Sequence, residues 1–429
     1  MIFRLITVLL LGLFVPTSWG QQPAAAVILK AGKLFDARSG RMLANQAVLI
    51  ERERIKEVGD AAVVSGHATN ARVIDLSSYT LLPGLIDCHA HILGNLKDYS
   101  PTRTLRTSSP QGALWGLHNL QIWLDHGFTA LRDAGEDDLA YGQLALRDSI
   151  NQGLVRGPRM VSAGNFIPIT GGHGDPDPLA PDQALPRRPN LADNVDEVAV
   201  AVRHDLKYGA DWIKLMATGG VEDVLSDFNV QELSEEQMAK AVEIAHRAHK
   251  KVMAHAEGTD GIKSAARAGV DSIEHGTMLD DEGAALLAQK GTWLVPTLQV
   301  FQRLPELTGG GHDPVAIAKE KAILKYQAAA FRRALDHHVK IAFGLDDDPD
   351  YIDREFSALV MGGMKPVEAL QAATVHAAEL LGFSDSLGSI EAGKFADIVA
   401  VKGDPQAEIS SMENVVFVMK GGEIIKQLN

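Results

Sequence analysis

The chain has 429 residues, 46% hydrophobic and 22% charged, a globular composition long enough for one large domain and one smaller one. Its net charge of −14 repels phosphate backbones, which excludes nucleic acid as a partner, and no basic patch argues for a membrane surface. The single cysteine, Cys88, excludes an intrachain disulfide.

In chain order, Arg4 is the one charged side chain of the first twenty residues, and an apolar run from Leu5 to Val15 follows it. That run has signal-peptide length and is too short to span a bilayer. It predicts a cleaved secretory signal over residues 1–20, export to the periplasm or beyond, and no stable membrane anchor afterwards; an uncleaved N-terminal anchor is the alternative. Short alternating segments come next: Ala26 to Lys30, Leu34 to Ala37, Ala47 to Glu51, Arg54 to Val58 and Val73 to Leu76. The C-terminus has the same texture, in Ala396 to Val401, Val415 to Met419 and Glu423 to Ile425. Both ends read as β-hairpins. They predict a small composite β-sandwich built from residues 21–80 and 383–429.

Residues 81–382 alternate short apolar strands with helical stretches, the pattern of parallel βα units. The predicted strands are Gly84 to His91, Thr129 to Asp133, Arg159 to Ala163, Trp212 to Met216, Lys251 to His255, Ser272 to His275, Trp293 to Pro296 and Lys340 to Gly344. Helices are expected over Leu191 to Tyr208, Ser234 to His249, Gly258 to Ala268, Pro314 to His337 and Pro366 to Leu381. Eight strands in this length predict an α/β fold, a (β/α)8 TIM barrel carrying the terminal β-sandwich.

Polar residues collect at the predicted strand ends. His89 and His91 close strand one, and as residues i and i+2 they share a face. Lys214 lies late in strand four, His255 and His275 end strands five and six, and Asp346 follows strand eight. In such a barrel the active site lies at the C-terminal ends of the strands. Side-by-side imidazoles suit a divalent metal. His118, His126, His246, His249, His337 and His338 fall on or beside predicted helices and are read as structural. Asp133 is read as holding Arg132 or a backbone amide, and Asp87 as a supporting residue.

The stretches LLPGLIDCHAHI (81–92), GFTALRDAG (127–135), DWIKLMATGG (211–220), VMAHAEG (252–258), DSIEHG (271–276), IAFGLDD (341–347) and SIEAGKFADIVAVKGDP (389–405) together resemble the amidohydrolase superfamily. Lys214 resembles the marker of its two-metal branch, and the nearest subgroup holds Xaa-Pro and Xaa-Arg dipeptidases and ochratoxin-hydrolysing enzymes. The resemblance implies a metal-dependent hydrolase of carbon–nitrogen bonds with two divalent ions, Zn2+ by preference. His89, His91 and Asp346 would hold one ion and His255 and His275 the other, with Lys214 bridging as N6-carboxylysine made with carbon dioxide. The implied reaction is attack of a metal-bridging hydroxide on the amide of a dipeptide or N-acyl amino acid, with Asp346 as general acid–base. At strand eight the chain reads Gly344, Leu345, Asp346, Asp347, Asp348, which departs from the family's usual Gly-Thr-Asp. The resemblance also implies a homo-oligomer, an octamer.

Substrate contacts are read from loops. The Gly- and Pro-rich stretch from Gly164 to Pro189 places His173 to reach a substrate carbonyl or carboxylate, against a purely structural role. Thr218, Gly219 and Gly220 are expected to shape the pocket floor through backbone groups. Arg187 and Arg188 are candidates for a carboxylate, with solvation as the alternative. The insertion from Val300 to Asp313 extends the mouth. A cyclic-amide hydrolase and a non-catalytic binding protein on the same fold are the competing readings.

Overall fold

The computed structural model describes residues 26–100, 102–175, 179–180, 182–183, 185–303 and 313–427, so the predicted signal segment lies outside the described residues. Its strands are β1 (Val27–Asp36), β2 (Arg41–Glu51), β3 (Arg54–Asp60), β4 (Arg72–Pro83), β5 (Leu85–Ala90), β6 (Phe128–Asp133), β7 (Arg159–Ser162), β8 (Phe166–Ile167), β9 (Trp212–Met216), β10 (Lys251–Ala256), β11 (Ser272–His275), β12 (Trp293–Val295), β13 (Ile398–Val401), β14 (Val415–Lys420) and β15 (Glu423–Gln427).

The two ends of the chain meet in one seven-stranded sheet, ordered β15-β14-β13-β4-β1-β2-β3. Strand alternation gives β1 and β2 two apolar faces. Ile28, Ala47 and Leu49 pack with Val64 of the helix Ala61–His67. Leu29, Val48 and Ile50 join Ile74, Leu81, Ile398, Phe417 and Met419 in a separate core. The expected two-layer sandwich is thus a single hydrogen-bonded sheet folded over on itself. Its β3 edge turns back onto the segment before β13, where the Ile55 amide donates to Lys394 O and the Ala396 amide to Glu53 O.

β4 runs directly into β5 through Gly84, whose amide donates to Asp397 O at 2.8 Å. From β5 to β12 every ladder between strands is parallel. One sheet is β5-β6-β7 and the other is β12-β11-β10-β9-β8. Crossover helices separate these strands, among them Val195–Tyr208, Glu235–Arg247, Thr259–Ala268 and Asp281–Lys290. Three of them end on Gly209, Gly269 and Gly291, whose φ of 92°, 91° and 72° turns the chain into the next strand within a few residues. Ile213 and Leu215 of β9 pack in one core with Val198, Val202, Met238 and Ala241 of the helices. Strand periodicity therefore places Trp212, Lys214 and Met216 on the opposite face.

Two sequence expectations change form here. Residues 340–344 make only one parallel bridge, Ile341 to Leu294. The Phe343 amide donates instead to Ala372 O, and Phe343 O accepts from the Cys88 amide. A side chain at Gly344 would lie 2.3 Å from Val295 Cγ1 and 2.8 Å from His89 Cβ, so the segment packs directly against both neighbouring strands. The expected helix Pro366–Leu381 is divided into Pro366–Gln371, a π turn Ala372–His376, and Ala377–Leu381. The Ala372 carbonyl, drawn to Phe343, marks the start of that turn.

Gly84 joins the two parts of the fold without spare room. A Cβ there would lie 2.2 Å from Thr129 Oγ1 and 3.0 Å from Asp397 Cβ. Gly84→Ala is expected to lower stability by about 1–3 kcal/mol, measured as the urea midpoint. Thr129→Ala in the same chain should recover part of that loss; no recovery would show that the strain lies elsewhere.

Candidate functional site

A cavity of about 210 Å³ opens at the C-terminal ends of the parallel strands. His89, His91, Lys214, His255, His275, His173 and Asp346 all line it. The seven polar residues singled out in the sequence are therefore brought together, although they span residues 89 to 346.

Each imidazole is oriented by a hydrogen bond on its far nitrogen. His89 Nδ1 lies 2.7 Å from Glu274 Oε2, and His91 Nδ1 donates to the Gly135 carbonyl at 2.7 Å. A carbonyl only accepts, so Nδ1 of His91 carries a proton; burial lowers this imidazole but Asp346 beside Nε2 raises it to about 9, so Nε2 becomes a ligand atom when a cation takes its proton's place. The Nε2 atoms of His89 and His91 face Asp346 Oδ1 at 3.4 and 3.3 Å. His89 Nε2 is buried without a hydrogen-bond partner. These three residues place ligand atoms within 4.8 Å of one another. His275 bonds Thr297 Oγ1 through Nδ1 at 2.7 Å and approaches Asp346 Oδ2 at 3.7 Å. His255 is reversed: its Nε2 donates to Gly219 O at 3.1 Å, which leaves Nδ1 as the lone-pair atom. Its ring lies 4.7 Å from that of His275.

The local backbone is forced. His275, Thr297 and Asp346 have φ of 69°, 44° and 59°, which costs non-glycine residues of order 1–3 kcal/mol each and recurs at functional sites. The Asp346 amide donates to His89 O at 2.9 Å, which locks the aspartate beside its imidazoles. Asp87 completes the joint. Its carboxylate accepts from the His89 and Leu345 amides at 3.0 and 3.2 Å and from Trp123 Nε1 at 2.9 Å.

Burial sets the charges. It opposes ionisation of Asp346, but His89, His91 and His275 hold that carboxylate well below its ordinary range. Burial drops His275 to about 3 despite Asp346, and with the neighbouring cations it lowers His255 well below its usual value. Lys214 is 1% exposed, and burial lowers its amine to about 8 against the pull of Glu274 and Asp346. A neutral lysine amine is thus accessible near neutral pH.

Sequence reasoning missed the support beneath His89. Glu274 immediately precedes His275 and is fully buried. Arg132 Nη2 donates to both its oxygens at 2.9 and 3.0 Å. The same guanidinium bonds Cys88 O at 2.6 Å and Ser272 Oγ at 3.1 Å, and stacks over Trp212 at 4.4 Å. Arg132 is therefore held by Glu274; of the two roles expected of Asp133, holding Arg132 or a backbone amide, the second is the one found, since it bonds the Gly135 amide and accepts from Ser162 Oγ at 2.6 Å. Burial would raise Glu274, but Arg132 and His89 hold it at about 2. Asp133 and Glu136 also approach His91 closely enough to form a second acidic group beside it. Glu136 accepts from the Ile92 and Leu93 amides at 2.5 and 2.9 Å, which commits it to the loop after β5. Glu257, two residues past His255, lines the cavity with a buried Oε2 that has no partner.

The loop expectations divide. His173 is held over the centre: its amide donates to Glu232 at 3.0 and 2.9 Å, Nδ1 lies 2.7 Å from Asp223 Oδ2, and its ring is 4.3 Å from that of His255. Thr218, Gly219 and Gly220 are not in the cavity lining. Thr218 Oγ1 accepts from the Glu257 amide, Gly219 O faces His255, and a Cβ at Gly220 would lie 2.5 Å from the His173 ring. Gly219 and Gly220 thus lie against the His255 and His173 rings, and Thr218 against the backbone of Glu257. Arg187 is paired with Asp193 and Glu197 at 3.1 and 3.0 Å, and Arg188 with Asp137 at 2.6 Å. The arginine in the cavity wall is Arg103. From the insertion, Val300 reaches the wall, and residues 304–312 lie outside the described residues.

Comparison with known proteins agrees with this geometry. The sequence pattern of the amidohydrolase family matches residues 80–425. Ochratoxinase from Aspergillus niger is 32% identical over 425 residues, covering 94% of this chain and 87% of that protein. A solved Xaa-Pro dipeptidase with methionine bound in its active site superposes with a TM-score of 0.87 at 34% identity, covering 93% of this chain and 99% of that one. A prolidase complexed with N-methylphosphonate-L-proline gives 0.84 at 32% identity, covering 94% and 100%.

Removing the guanidinium isolates a buried carboxylate. Arg132→Met is expected to cost about 3–5 kcal/mol in urea unfolding, because Glu274 loses its counter-charge. Arg132→Met with Glu274→Leu should regain most of that cost; equal losses in the single and double variants would deny the pair its role.

Proposed function

The chain belongs to the amidohydrolase family, a hydrolase acting on amide bonds, and on that premise we propose that it is metal-dependent and cleaves dipeptides or N-acyl amino acids. The carrying observation is the convergence of His89, His91 and Asp346 on one point, with Lys214, His255 and His275 around the same cavity. On this reading the two parallel sheets are arcs of one (β/α)8 barrel completed by residues 340–346. Residues 81–382 form the hydrolase domain, and residues 21–80 with 383–429 form its companion. The Leu294–Ile341 bridge and the Cys88 to Phe343 bond support that closure.

The donor set fits divalent cations. The partnerless His89 Nε2, His91 Nε2 and the ionised Asp346 would hold one, and His255 Nδ1 with His275 a second. Lys214 would link the two as a carbamate. Its neutral amine adds to carbon dioxide, loses one proton, and becomes an anion with two ligand oxygens. Bound cations supply polarisation of the amide carbonyl and lower the pKa of water to about 7 in favourable cases.

The remaining steps belong to the chain's own residues. Asp346, ionised and fixed by the His89 carbonyl, accepts a proton from the attacking water and returns it to the leaving amine nitrogen. The Glu274–Arg132 pair keeps the proton of His89 on Nδ1, so Nε2 keeps its lone pair. His173, fixed by Asp223 and Glu232, presents its outer ring edge to the substrate. Arg103 in the wall meets a free substrate carboxylate, which supports an open-chain substrate over a cyclic one.

Purified protein is expected to hold about two equivalents of divalent metal by elemental analysis and to lose activity on chelation. Lys214→Ala and Asp346→Asn should each lower kcat for a susceptible dipeptide by at least about 10²-fold. A carbamate resonance after growth in 13C-bicarbonate should vanish in Lys214→Ala. Metal-free protein with full activity, or an active Asp346→Asn, would overturn the assignment. Gly220→Ala, which displaces His173, should cut kcat/KM by about tenfold or more with little change in metal content; unchanged kinetics would remove His173 from the site.

A further inference from the structure

Asp346 heads a run of three carboxylates, Asp346, Asp347 and Asp348, and alone of them lines the cavity. Its φ of 59° is one that a non-glycine residue keeps only where its surroundings impose it. On the N-terminal side the Leu345 amide is tied to Asp87 and the Asp346 amide to His89 O. On the C-terminal side the tie is a second buried ion pair. Asp347 Oδ1 accepts from Arg303 Nη1, and the two side chains are 4% and 8% exposed. The same oxygen takes the Asp348 amide at 2.7 Å.

Arg303 holds more than this carboxylate. Its guanidinium lies 4.0 Å over the Tyr351 ring and reaches Tyr99 Oη at 3.3 Å. Tyr351 ends the 3-10 turn that Asp348 caps, where Asp348 Oδ1 accepts from the Asp350 amide at 3.1 Å. Arg303 therefore contacts both ends of the segment 347–351 and the loop after β5. It follows the short helix Gln299–Gln302, which is fixed at its other end as well. There Glu355, on the helix Asp353–Met361, accepts from the Leu298 and Gln299 amides at 3.0 and 2.6 Å. Val300, between the two anchors, lines the cavity. A buried pair of this kind contributes direction more than net stability.

We propose that Arg303 is a positioning residue for Asp346: through Asp347 it keeps the aspartate in its left-handed turn and ties it to the Val300 wall. Neither member of the pair touches a reacting atom. This role rests on Asp346 transferring the proton in amide hydrolysis, and it explains how that carboxylate keeps its aim. Loss of the pair leaves the imidazoles and the cavity lining in place but frees the aspartate, so proton transfer suffers more than substrate binding.

The test uses full-length Arg303→Met, Asp347→Leu and the double variant. Hydrogen exchange of the protein as purified, read by mass spectrometry, should be at least about tenfold faster at amides 345–348 in each variant, with β9 to β11 unchanged. In metal-loaded protein, kcat for a susceptible dipeptide should fall at least about tenfold while KM stays within about threefold. The double variant should lose no more than the worse single one, because the two residues act as a unit. If a single variant fails to fold because it strands a buried charge, the double variant, which strands none, decides by the same readouts. Unchanged exchange at 345–348, or equal acceleration throughout the chain, leaves the pair a plain stability element and overturns the proposal. Unchanged kcat in a protein that cleaves dipeptides, or losses that add in the double variant, overturns it too. Faster exchange confined to 345–348, in a protein whose parent binds no metal and cleaves no dipeptide, upholds the hold on Asp346 and overturns the hydrolase reading instead.

Discussion

A guanidinium buried against a carboxylate holds the centre of this protein in register. Arg132 rises from β6, takes the Cys88 carbonyl of β5, the Ser272 hydroxyl of β11 and both oxygens of Glu274. Neither partner reaches solvent. In that setting the pair is more a constraint than a source of stability, since burying two charges costs about as much as their attraction returns. What it fixes is direction. Glu274 has one oxygen on His89 Nδ1, so an ion pair below the cavity decides which nitrogen of His89 points into it.

The same logic extends to every imidazole of the site. Gly135 O, Thr297 Oγ1 and Gly219 O each take the outer or lateral nitrogen of a different ring. The rings close around Asp346, whose left-handed backbone turns its carboxylate back toward β5. Strain at His275, Thr297 and Asp346 persists because surrounding bonds over-determine these conformations. A centre built this way is poised for ligation before anything binds, which reduces the reorganisation that binding requires.

The cavity is electrostatically lopsided. At one end, the surrounding imidazoles hold Asp346 ionised; elsewhere in the wall, Glu222 and Glu320 share the lining with Arg103.

Much of this was legible in the chain. Apolar runs ending in histidine or aspartate mark β5, β10 and β11, and glycines at helix ends time the return to the next strand; such signals are local, set by periodicity and backbone sterics. They suffice to name His89, His91, Lys214, His255, His275 and Asp346 as neighbours. Tertiary structure decided what lies between distant segments. Glu274 meets His89 across 185 residues, Glu320 comes from a helix with no motif, and in residues 340–344 the Phe343 amide bonds a helix carbonyl instead of a neighbouring strand. The sequence by itself determined which polar side chains gather at the strand ends, because strand periodicity and strand ends are written locally; their reading as metal ligands came from the resemblance to the amidohydrolases. Only the packing decided which of their atoms face inward and which carboxylates stay unpaired, because both depend on partners brought together by the whole fold.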